Sequence, residues 1–114
     1  MLLALLILVI VVALAGVTLA TLGFRGRHVP LPVSSVHGAT GILAIVLLVI
    51  HDLHFPHNIP VNAATVLLIL TATGGLLLFG FRAGHQALPG LVVGLHAGFA
   101  LAAVALLIFG YARG

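Results

Sequence analysis

Four runs without a formal charge make up almost the whole chain: 1–24, 28–51, 53–81 and 83–112, parted only by Arg25, Arg27, Asp52 and Arg82. Arg113 is the one further charged residue, and lysine and glutamate are absent. A soluble domain carries about a quarter charged residues; here the share is 4%. Each run exceeds the roughly 20 apolar residues that cross the hydrocarbon of a bilayer. Backbone polar groups in hydrocarbon must bond within the protein, which leaves helices or closed barrels. The runs lack the alternation of strands. The chain is therefore expected to be all-α, an integral membrane four-helix bundle forming one domain over 1–114, with helices at about 1–22, 33–53, 61–81 and 89–111. Residues 1–22 have no basic start and too long an apolar run for a cleaved signal, so they are expected to stay as the first helix.

The charges also exclude functions. The high pI reflects four arginines against one aspartate rather than a basic face, so no nucleic acid is expected as a partner. Without cysteine there is no disulfide, no thiolate metal site and no covalently attached haem. Arg25, Arg27 and Arg82 fall in the first and third loops, and Arg113 falls on the other side. The positive-inside rule places those two loops in the cytoplasm. Both termini and loop 52–60 are then expected to face outward, in a bacterial cytoplasmic membrane.

The chain repeats itself. Gly23-Phe24-Arg25 recurs as Gly80-Phe81-Arg82, His28 as His85, and Leu31-Pro32 as Leu88-Pro89, all at an offset of 57. Beyond that point the second copy gains two residues. At the new offset of 59, the face His37, Gly41, Ala44, Leu48, His51 maps onto His96, Ala100, Ala103, Leu107, Gly110. This reads as two repeated helical hairpins of the same orientation, related by a pseudo-two-fold axis along the membrane normal. Two inserted residues turn a helix by about 200°, so the second and fourth helices are expected to begin at different points of the repeat.

An imidazole in hydrocarbon is costly and marks a functional site. His37 and His51 bracket a run with no other polar group larger than threonine. Their spacing of fourteen residues sets them within about 40° on one helix face and roughly 21 Å apart. Small residues on that face, Gly41 and its counterpart Ala100, leave room for a flat ligand against the backbone. His37 is expected about one turn into the membrane and His96 about two, on facing helices. Two neutral imidazoles across a bundle core form a bis-axial site for haem iron, whereas a lone buried histidine is more often a structural hydrogen-bond donor. Each ring needs its second nitrogen satisfied. No carboxylate lies in the helices, which leaves a backbone carbonyl, Ser34 or Thr40. Arg25, Arg82, His28 and His85 lie on the side where they would meet haem propionates, or lipid headgroups.

The arrangement resembles the haem-b membrane cytochromes of the cytochrome b type. There, two histidines about fourteen residues apart on one helix face two matching histidines on another, with glycines where the porphyrins pass. His37 and His51 match the first helix and His96 the near position of the second; the far position is Gly110. The resemblance implies an electron-transfer subunit with one haem b. A second haem at His51 would need its other ligand from His54, His57 or a partner subunit.

Two further features stand apart. His51, His54 and His57 with Asp52 could hold zinc or copper(II), serve that second haem, or cap the helix at the headgroups. Gly90, Gly94 and Gly98 form a small-residue stripe on the face opposite His96, where another membrane helix, or the chain's own first helix, could approach closely. The reading is a membrane haem-b electron-transfer subunit of a larger redox complex, not an enzyme by itself, with lipid, other membrane subunits and a quinone as partners. Its alternatives are a chlorophyll-type pigment held on the outer face by His37 or His96, and a purely structural subunit.

Overall fold

A computed structural model describes all 114 residues. Four helices, α1 (Leu2–Phe24), α2 (Leu31–His54), α3 (Ile59–Ala83) and α4 (Gly90–Ala112), form an up-and-down bundle of 43 × 19 × 19 Å. Each is long and apolar enough to span a membrane. Every helix packs on its two chain or ring neighbours, α1 on α4 included, while the diagonal pairs α1/α3 and α2/α4 keep their backbones apart. Any group at the centre of the bundle must therefore come from side chains reaching along a diagonal.

The helix ends follow from local chemistry. Pro30 and Pro89 occupy the N-caps of α2 and α4 in the same extended conformation, which suits a residue with no N–H and a fixed φ. Asn58 caps α3. Its Oδ1 accepts from the Val61 N–H at 3.4 Å, and its Nδ2 donates to the Gly110 carbonyl at 3.1 Å, tying the start of α3 to the end of α4. α1 and α3 end in one motif. The Arg27 N–H donates to Leu22 at 2.9 Å and the Gln86 N–H donates to Phe81 at 2.9 Å, each wrapped around a left-handed residue, Gly26 at φ +65° and His85 at φ +56°. This is a Schellman ending, whose left-handed position favours glycine.

These ends correct the expected register. One offset of 59 relates the two hairpins from end to end. It carries Pro30 onto Pro89, Gly26 onto His85, Gly16 onto Gly75 and His37 onto His96, and each pair does the same structural work. The Gly-Phe-Arg match at 57 is a local coincidence, His85 is not the counterpart of His28, and no insertion turns α4 relative to α2. Counting from Leu31 and Gly90, His37 and His96 are both the seventh residue of their helices, so they lie at equal depth rather than one turn apart.

The core has a dense half and a loose half. Toward the Asn58 end, Leu48, Leu107 and Val61 are fully buried, and Leu5, Leu6 and Ala64 close around them. Thr65, one of two buried polar residues in this half with His51, returns its hydroxyl to the Val61 carbonyl one turn back. Toward the arginine-bearing loops the facing residues are small. The two ends therefore respond differently to substitution. A Cβ at Gly110 would lie 2.6 Å from Val61 Cγ2 and 2.9 Å from Asn58 Oδ1, so Gly110→Ala is expected to destabilise the bundle by about 1–3 kcal/mol. His85→Gly should raise stability by about 1 kcal/mol by relieving the left-handed strain. Thermal unfolding in detergent checks both.

Candidate functional site

The loose half of the bundle is a cavity that all four helices line. It encloses about 180 Å³ and, with its open sides, continues into about 1190 Å³ of unfilled space. Ligand pockets run to about 300–1,000 Å³, so a large flat molecule would use the open sides as well as the enclosed centre. The walls are apolar apart from Ser34, Thr71, Arg82 and two histidines, His37 from α2 and His96 from α4. The two rings reach toward each other along the diagonal, with centroids 6.3 Å apart and planes at 81°. Both point inward.

Each ring rests on a glycine of the preceding helix. A Cβ at Gly16 would lie 2.8 Å from His37 Cε1, and one at Gly75 would lie 2.9 Å from His96 Cε1. Real Cβ contacts do not come so close, so only glycine lets α1 and α3 pass behind the rings. The reward for the close approach is visible on one side. His96 Nδ1–H donates to the Thr71 carbonyl of α3 at 2.8 Å. A carbonyl only accepts, so the proton is on Nδ1 and the Nε2 of the neutral ring carries a free lone pair. Nε2 makes no hydrogen bond within the protein. On the other side the counterpart carbonyl is that of Val12. It makes no hydrogen bond to His37, which turns its Cε1–Nε2 edge toward Gly16 and leaves Nδ1 buried without a partner. Of the partners expected for these rings, the backbone carbonyl is the one used. Thr40 instead turns its hydroxyl back to the Val36 and His37 carbonyls.

The donor set suits an iron held between two imidazoles. With metal–nitrogen bonds of about 2 Å and a ring centre roughly 1 Å beyond each nitrogen, two axial rings stand about 6 Å apart, centre to centre. The observed centroid spacing of 6.3 Å is of that size, with the Cε1–Nε2 edge of His37 lying nearest Gly16 and the Cε1–Nδ1 edge of His96 nearest Gly75. Gly41 and Ala100 line the cavity as expected, although a Cβ added at Gly41 would lie 3.7 Å from Val12 Cγ1. Gly16, Gly75 and the Thr71 carbonyl were not singled out as site residues from the sequence. Alignment of the two hairpins at 59 along their whole length would have found the glycines, because Gly16 and Gly75 then pair as His37 and His96 do.

At the loop end the cavity runs into a polar cleft bordered by Arg27, His28, Arg82, His85 and Gln86. Arg82 is the link between the two spaces. Its Nε donates to the Val29 carbonyl and its Nη2 donates to His28 Nε2 at 3.3 Å. His28, His85 and Arg82 therefore stand where acidic groups on a cavity ligand would emerge. Arg25 does not; it is the exposed C-cap of α1 and borders neither space.

The second histidine cluster does not assemble. His54 Nδ1 donates to the Ile50 carbonyl at 2.8 Å, and His57 is exposed in the loop. His51 is buried beside Phe55, with its Nδ1 3.6 Å from Asp52 Oδ1. No group of three histidines or carboxylates converges here or elsewhere. In the same half Leu48 and Leu107 are fully buried, and Gly110, the counterpart of His51, packs on Val61. On the outer surface, Gly94 and Gly98 have no atom within reach of an added Cβ and Gly90 only touches Phe24, so the glycine stripe faces away from the bundle.

No protein-family model, no curated protein and no solved structure matches this chain.

The glycine contacts are directly testable. Gly75→Ala is expected to push the His96 ring off the Thr71 carbonyl, seen as a changed tautomer signature in the nitrogen-15 shifts of that imidazole. Gly94→Ala, which meets open space, should leave those shifts and the stability of the bundle unchanged.

Proposed function

We propose that the chain is a haem-b subunit that carries electrons within a membrane redox complex, with His37 and His96 as the two axial ligands. The observation that carries this reading is the inward pair of imidazoles, 6.3 Å apart across an apolar cavity with a basic mouth. When bound, a haem supplies one-electron chemistry at a potential tuned by its ligands and their hydrogen bonds. The chain's own residues do the rest. The Thr71 carbonyl holds His96 in the tautomer that leaves Nε2 free for a metal and fixes the ring's orientation. Gly16 and Gly75 admit both rings to the core. The apolar walls exclude water, and Arg82 with His28 meets the acid groups at the loop end.

The arginines of the first and third loops favour a cytoplasmic position for that mouth, with both termini and the Asn58 end outward. The outward glycine stripe of α4 offers a face to other membrane subunits. A pigment bound on the outer face would need an imidazole directed at lipid. The inward aim of both histidines favours the shared-iron reading over that one. A purely structural subunit would have no reason to place two facing imidazoles, one of them unpartnered, in an otherwise apolar core.

The test is a pyridine haemochrome assay on the purified chain reconstituted with haem. One haem b per chain and a sharp reduced-minus-oxidised band are expected. His37→Ala and His96→Ala should each abolish the low-spin spectrum, and His51→Ala should leave it intact. Absence of haem uptake by a folded chain would sink the proposal.

A further inference from the structure

The two hairpins match in register but not in how they close. Among the residues lining the cavity, four are exposed on the outside of the bundle: Gly38 and Ile42 of α2, and Leu76 and Phe79 of α3. All belong to one adjacent pair of helices, so the cavity has a side opening between α2 and α3. Their counterparts at 59 on the α1/α4 side are Ala97, Leu101, Val17 and Ala20. Of these only Ala20 lines the cavity, and it is not exposed. The pseudo-two-fold is therefore broken in one place, and the gap faces the layer that would be bilayer hydrocarbon.

The same symmetry is broken at the rings. The gap borders α2, the helix of His37, and not α4. His37 is also the imidazole without a partner on Nδ1, while His96 is anchored to Thr71 at 2.8 Å. A ligating ring is made more basic and held in orientation by a hydrogen bond on its other nitrogen. The ring that lacks one is the weaker ligand and the freer to swing. An open side and a weak ligand thus coincide on the His37 face.

We infer that this face is a binding site for a small neutral diatomic ligand, such as carbon monoxide, nitric oxide or dioxygen, which enters from the lipid through the α2/α3 gap and replaces His37. The inference rests on the haem reading above. In that exchange His37 would release its Nε2 from the iron as the ligand takes its place; no proton moves, and His37 keeps its lone pair. A larger occupant such as a quinone ring is disfavoured because the porphyrin takes the enclosed volume, and small apolar molecules already concentrate in hydrocarbon.

Carbon monoxide is the probe, used on the reduced, haem-loaded full chain. Wild type is expected to bind it slowly, at a rate limited by release of His37. His37→Gly should keep haem through His96 and bind carbon monoxide faster by about tenfold or more. His96→Gly should lower haem affinity by about tenfold or more, since the ligand left behind lacks its carbonyl. Gly38→Leu, at a position where an added Cβ meets nothing within 4 Å, should slow entry on the order of tenfold, while Ala97→Leu at the closed counterpart should not. One readout needs no haem: nitrogen-15 shifts of the apo chain should show His96 as the Nδ1–H tautomer alone and His37 as a mixture. If haem binds but carbon monoxide is excluded, or displaces His96, or ignores Gly38→Leu, this inference is overturned and the haem reading stands. If a folded chain takes up no haem, both fall.

Discussion

An imidazole inside a membrane bundle must place both nitrogens, and this demand shapes the protein's working half. The carbonyls of a neighbouring helix already accept one hydrogen bond each, but a second lone pair remains. To reach it the ring must lie almost on the neighbour's backbone. That is open only where the neighbour has no side chain, which is the role of Gly16 behind His37 and Gly75 behind His96. At His96 the contact satisfies Nδ1 and leaves Nε2 free; at His37 the ring comes as close but Nδ1 stays unpartnered. The close passage of a glycine behind each ring is made twice, and the hydrogen bond that fixes a tautomer is made once, at His96.

The two halves of the bundle differ in how they are filled. Facing positions 48 and 107 on α2 and α4 are leucines, wholly buried, and the core there is closed. Two turns toward the loops the facing positions are Gly41 and Ala100, and the same diagonal is open. A cavity that forfeits packing contacts costs stability in proportion to its volume. The filled layer, the Asn58 tie to Gly110 and the Schellman endings offset that cost outside the cavity. The basic cleft at the loop end then gives the apolar cavity a polar exit, so an amphiphilic ligand would have one favoured orientation.

Repetition explains why so short a chain can build a two-sided site. One hairpin supplies one ring and one glycine; the second copy supplies the facing pair at the same depth. The departures from symmetry are local. Arg82 stands where the first hairpin has Gly23, and Arg27 where the second has Gln86, so the two hairpins bring their arginines to the cleft from different positions. His51 has Gly110 as its mate, which leaves the other end without a facing pair.

Four membrane helices and their approximate limits were legible in the sequence, because a bilayer allows few folds and charge-free runs of this length state which one. The histidine pair was legible too, since polar side chains are too costly in hydrocarbon to be placed at random. The supporting glycines, the true repeat register and the unequal partners of the two rings were not. The Gly-Phe-Arg echo at 57 is a similarity of letters, whereas Gly26 and His85 are equivalent only in backbone conformation. Which carbonyl an imidazole reaches, and which side of a bundle stays open, are set by distances of a few ångströms between helices. Those distances exist only once the four helices have packed.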